Sequence, residues 1–194
     1  MNTTALFVEF IIIGSGAITW LALLCLSLFG YAWVHWDKVT SIVALIPFLA
    51  LVYSLGIVID RLSDLIFSKW DKKIRLNTFP NNAEYHTART YVYTYATDKI
   101  LNLFEYGRSR IRISRAWFIN HLMLMVSIPI FVWTQLSKSP TSLQINITIF
   151  SIIIFGLSSI ATLITWEKLI INDYKRLIET YEFLKIERSN KTIE

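Results

Sequence analysis

The chain has 194 residues, 54% hydrophobic and only 17% charged, with a mean hydropathy of +0.48 and a formal net charge of +5. A soluble domain of this size carries roughly 45 to 50% apolar and about 25% charged residues, so the composition excludes a water-soluble domain and points to an integral membrane protein. The single cysteine, Cys25, excludes an internal disulfide and a cysteine-based metal cluster.

Crossing the hydrocarbon core takes about 20 helical residues. Four apolar runs are long enough: residues 6–33, 40–59, 116–136 and 143–166. The first has no Lys or Arg before it and is longer than the apolar region of a signal peptide, so it is expected to stay in the membrane. Within it Glu9 is anomalous, because an ionisable side chain left unpaired in hydrocarbon costs roughly 2.5 to 3.5 kcal/mol on insertion scales. It is expected to reach the interface or to pair with Arg61 or Arg115. Gly14, Gly16 and Ala17 lower the surface of the same run, as small residues do where membrane helices meet closely.

The second run ends in DRLSD, where Asp60 and Asp64 are four residues apart and so share a helix face. NTFPNN, with Pro80 and three asparagines, predicts a break between Leu76 and Asn82. From Asn82 to Arg115, Tyr85, Ala88, Val92, Tyr95, Ile100, Leu103 and Phe104 recur at helical spacing, which predicts one long helix leading into the third run. Its end, RSRIRISR, places Arg108, Arg112 and Arg115 on one face at the edge of that run. Together with Asp60, Arg61 and Asp64 they form a candidate polar latch between the second and third spans. The bland alternative is charge neutralisation at a half-buried interface. SKSPTS, residues 137–142, is a hairpin to the fourth run. Beyond Trp166, Ile170, Tyr174, Leu177, Tyr181 and Leu184 step by four and three. That coiled-coil-like seam needs a partner, either the 82–115 helix or a second copy of the chain.

Charge sets the orientation. Residues 60–115 hold eleven Lys and Arg against six acids, while the connections at 36–40 and 137–142 carry only Lys38 and Lys138 as basic residues. The positive-inside rule then predicts that the middle segment and both termini are cytoplasmic, with the arginines among anionic head groups. The expected fold is all-α, a four-span antiparallel bundle. Spans 2, 3 and 4 are expected to continue as cytoplasmic helices, over a basic segment at 60–115 and a C-terminal helix at 167–194.

No catalytic constellation, cofactor loop or metal set is legible. His35, His86 and His121 fall in different segments and levels of this topology, and His121 beside Asn120 reads as a helix-packing residue. The tryptophans fall mostly near span ends, as in aromatic belts.

With EFIIIGSGAITW at Glu9 to Trp20, DRLSDLIF at Asp60 to Phe67 and long cytoplasmic helices, the layout resembles the small four-span membrane subunits of bacterial antiphage defence systems, such as the Kiwa membrane component. The resemblance is one of layout, so no residue role is carried over. It implies an oligomer in the inner membrane that senses infection or damages the membrane with a soluble cytoplasmic partner. A small ion channel or transporter is the alternative, and an enzyme is not expected. Direct nucleic-acid binding is the least favoured use of the arginines, since head groups already surround them.

Overall fold

The computed structural model describes residues 3–32, 34 and 42–191. These residues form five helices and no strand: α1 (Thr3–Phe29), α2 (Ile42–Thr78), α3 (Asn82–Tyr95), α4 (Asp98–Gln135) and α5 (Thr141–Lys191). Four of them, α1, α2, α4 and α5, are long and apolar enough to cross a membrane. At 1.5 Å per residue the 37, 38 and 51 residues of α2, α4 and α5 extend to about 55, 57 and 75 Å, well beyond a hydrocarbon core of about 30 Å. Each therefore has an apolar half and a polar half.

Chain breaks follow local chemistry. Gly30 ends α1 with φ +70°, a left-handed conformation that glycine alone adopts freely, and its N–H bonds the Leu26 carbonyl at 2.9 Å. The first span thus stops at Phe29 rather than at residue 33. The connection read at 36–40 and the first residues of the second span lie outside the described residues. Asn81 caps α3: its side-chain oxygen accepts from the Glu84 N–H at 2.8 Å, and its amide donates to the Glu84 carboxylate at 3.0 Å.

The single helix expected over 82–115 is in fact two. Ala96 and Thr97 are extended, with ψ 152° and 155°, and Asp98 opens α4 with an acid in its first turn. Gly107, in the interior of α4, causes no break.

In the apolar half α1 packs against both α2 and α4, while the apolar stretch of α5 lies along α4. Ile13, Ala17, Ile59 and Ala116 make the buried centre. Gly14 and Gly56 bring α1 and α2 into backbone contact.

The polar half has a larger core of Phe67, Phe79, Tyr85, Val92, Phe104, Ile111, Trp166, Ile170, Tyr174, Leu177 and Leu184, drawn from α2 to α5. Here the aromatic rings set the geometry. Phe79, Tyr85 and Tyr174 meet edge to face with centroids 5.3 to 6.1 Å apart, and Phe67 packs on Trp166 at 4.6 Å. Trp166, read as a belt residue, is buried in this cluster because Phe67 and Trp70 of α2 cover it.

Candidate functional site

The charged junction lies where the apolar and polar halves meet. Glu9 sits in the second turn of α1 and Asp60 in mid-α2, and both are buried, at 5% and 4% exposure. A buried carboxylate needs a cation and hydrogen bonds to stay ionised. Both cations come from α4. The Arg112 Nη1 donates to Glu9 Oε2 at 3.1 Å, and its Nε lies 3.8 Å from Asp60 Oδ1. One turn on, the Arg115 Nη2 contacts Asp64 Oδ1 at 2.5 Å and lies 3.7 Å from Asp60 Oδ1. Arg61 approaches Asp64 at 3.8 Å from an exposed position.

Five of the six residues read as the polar latch, Asp60, Arg61, Asp64, Arg112 and Arg115, therefore sit together, and Glu9 joins them. The residue grouping differs from expectation in two places. Glu9 takes Arg112 rather than Arg61 or Arg115, because Arg112 is the guanidinium facing α1. Arg108 leaves the group: one turn before Arg112, it stacks over Tyr93 of α3 at 5.2 Å from the ring centroid.

The network is not fully hydrogen-bonded. Asp60 Oδ1 and the Arg115 Nε are buried without a hydrogen-bond partner, and the contacts at 3.7 and 3.8 Å are Coulombic only. An arrangement with all its donors and acceptors satisfied would be stiffer. This one holds three helices together by charges that a modest displacement can separate.

Below the junction, Asn120 joins α1 to α4. Its amide donates to the Ile13 carbonyl at 2.9 Å and its oxygen accepts from Trp20 Nε1 at 3.1 Å, with the side chain fully buried. Gly16 makes this possible, since a Cβ there would fall 2.4 Å from the Asn120 Nδ2. The sequence reading passed over Asn120 for its neighbour His121, although an amide inside an apolar run is itself a signal of an interhelical bond. His121 packs against Trp117 and Phe155 at 5.2 and 6.2 Å.

The seam on α5 is covered by this chain. Ile170, Tyr174, Leu177 and Leu184 are buried in the polar-half core, and Tyr181 packs edge to face on Tyr91 of α3 at 5.3 Å. Of the two partners that the spacing allowed, the structure has the intramolecular one at these residues.

A cavity of about 470 Å³ opens between the junction and this core, lined by residues of all five helices. Besides the latch, it exposes Asp71, Arg89, Tyr93, Arg108 and Asp173. The Tyr174 hydroxyl donates to Asp71 at 2.6 Å, and burial together with this bond pushes the phenol up, so it stays a neutral donor. Asp173 lies in the polar part of α5, beyond Trp166. Burial pushes its carboxyl up although Arg176, Arg108 and Arg89 face it. Burial likewise pushes up the Tyr93 phenol against the pull of Arg108 and Arg89.

Among the described residues no three His, Cys, Asp or Glu side chains are placed to hold a metal ion. The chain matches no family model, and neither a curated protein nor a solved structure matches it.

Proposed function

We propose that the chain is a multi-pass subunit of the bacterial inner membrane, acting as a homo-oligomer with a soluble cytoplasmic protein to sense infection or carry out a membrane response in antiphage defence. It catalyses no reaction itself. Its polar half and both termini face the cytoplasm, where anionic head groups surround the junction. What supports the defence role is the layout shared with four-span defence subunits; what supports the orientation is the excess of basic residues at 60–115.

One observation carries the sensing or effector part of the reading: the network of Glu9, Asp60, Asp64, Arg112 and Arg115, which joins α1, α2 and α4 at the level where the two halves meet. A partner pulling on the polar half changes the distances between these charges, and with them the packing of the spans. Such coupling between the polar half and the spans is what a membrane switch needs.

Plaque counts on bacteria carrying the chain in its own gene neighbourhood test this. Protection by the wild type, lost in Asp64→Arg and regained in Asp64→Arg with Arg115→Asp at equal membrane levels, is the expected result. Equal plaque counts with and without the chain across a broad phage panel would overturn the defence reading. Ion flux in liposomes containing the chain alone would instead favour a channel.

A further inference from the structure

The junction cavity holds a second group of charges that the latch does not use. Arg89 of α3 and Arg108 of α4 both lie over the ring of Tyr93, at 5.6 and 5.2 Å from its centroid, so the two guanidinium carbons are within about 11 Å of one another. Among the described residues neither has a carboxylate within ion-pair distance, whereas Arg112 and Arg115 each have two. Arg89 donates to the Tyr85 hydroxyl at 3.3 Å, and Asp173 faces both arginines at longer range.

Asp173 is poorly placed to neutralise them. Its Oδ1 rests against Gly107 of α4, where a Cβ would stand 3.0 Å away, and has no hydrogen-bond partner. Two like charges are thus held over one ring, at the wall of a cavity of about 470 Å³, within the roughly 300 to 1,000 Å³ of small-ligand sites. Arg61 lines the same cavity, as do Leu6 and Phe10 of the first turns of α1, so apolar side chains of that helix stand beside the charged ones.

We infer that Arg89 and Arg108, which share the Tyr93 ring, form a binding site for a phosphate monoester at the junction of the two halves. Guanidinium forks match phosphate oxygens in pairs, and the anion removes the repulsion between the two cations. The phosphate can arrive on a lipid head group, reached past Leu6 and Phe10, or on a small soluble molecule. This site shares the latch's cavity but rests on other residues, and it does not depend on the defence reading.

The experiment uses the full chain, purified in detergent and stripped of lipid, with two probes: phosphatidic acid, its retention read by native mass spectrometry, and glycerol 3-phosphate, its binding read by calorimetry. Phosphatidylcholine and glycerol are the blanks. Losing two charged hydrogen-bonding groups weakens binding at least about tenfold. The inference therefore expects that weakening in Arg89→Gln with Arg108→Gln, and none in Arg110→Gln, whose side chain is exposed over Tyr106.

Retention of the lipid probe alone assigns the head group, and binding of the soluble probe alone assigns a free phosphate ester. Either result with the stated arginine dependence upholds the site. Binding of neither probe by the wild type overturns it, as does binding that survives in a folded double variant. If the double variant does not fold, the single variants Arg89→Gln and Arg108→Gln decide: weakened binding in either upholds the site, and unchanged binding in both overturns it.

Discussion

Gly14 of α1 and Gly56 of α2 sit backbone to backbone. A Cβ on Gly14 would fall 1.8 Å from the Val52 carbonyl oxygen, and one on Gly56 would fall 1.9 Å from that of Phe10. The obstacle in both cases is main chain, which cannot swing aside as a side chain does. The helices can accept a methyl only by moving apart, and overpacking of this kind costs about 1 to 3 kcal/mol. Gly14→Ala and Gly56→Ala should each lower the unfolding temperature in detergent, while Ser15→Ala, exposed on the same turn, should leave it unchanged.

Gly16 and Asn120 offer a size exchange. Gly16→Ala pushes a methyl into the Asn120 amide and should destabilise the α1 to α4 contact. Asn120→Ala removes the bonds to Ile13 and Trp20, at a cost of about 0.6 to 2 kcal/mol. In the double variant the new methyl occupies the space the amide has left, so its stability should exceed the sum of the two losses. A melting temperature equal to that sum would contradict the packing described.

Arg112 holds Glu9, and removing only the cation leaves a buried carboxylate alone. Arg112→Gln should destabilise by about 3 to 5 kcal/mol, and Glu9→Gln in the same background should recover much of it. The peripheral pair Asp64 and Arg115 should show a smaller coupling in a double-mutant cycle, since the Asp64 side chain is 43% exposed. Thermal unfolding of the single and double variants measures both.

Asp173 gives a pH dependence with a definite sign. Its carboxyl titrates higher in the folded chain than in the unfolded one, so its contribution is fully present below the unfolded value of about 3.9 and is lost as pH rises through the folded one. The groups facing it are Arg89 on α3, Arg108 on α4 and Arg176 on α5. Asp173→Asn should therefore raise the melting temperature at pH 7, and the gain should shrink as pH falls toward 4. A gain that is constant with pH would point to altered packing instead.

Length and hydropathy made legible the four helices long and apolar enough to cross a membrane, and the Pro80 cluster and residues 137–142 gave two of the connections. The break at Ala96 and Thr97 was hidden because apolar spacing continues across it from Tyr95 to Ile100; the only local mark was Thr97 followed by Asp98, a helix-start pair with no glycine or proline. At the junction, the shared face of Asp60 and Asp64 could be read from their separation. Which arginine meets Glu9 could not, because that depends on the rotation of α1 about its axis, which Gly14, Gly16 and Asn120 fix through contacts from other helices. Arg108 and Arg112 illustrate the same limit: they share a side of α4, but the rise of one turn carries Arg108 from the latch to α3.

The 51-residue helix α5 is unbroken from the hairpin at 137–142 through the junction to Tyr174 and Tyr181 of the polar half. Over about 75 Å, a tilt of about 5° at one end moves the other by about 6 Å. A lean of this rod in its apolar half is therefore felt, magnified, at Tyr174 and Tyr181, where it packs on α2 and α3.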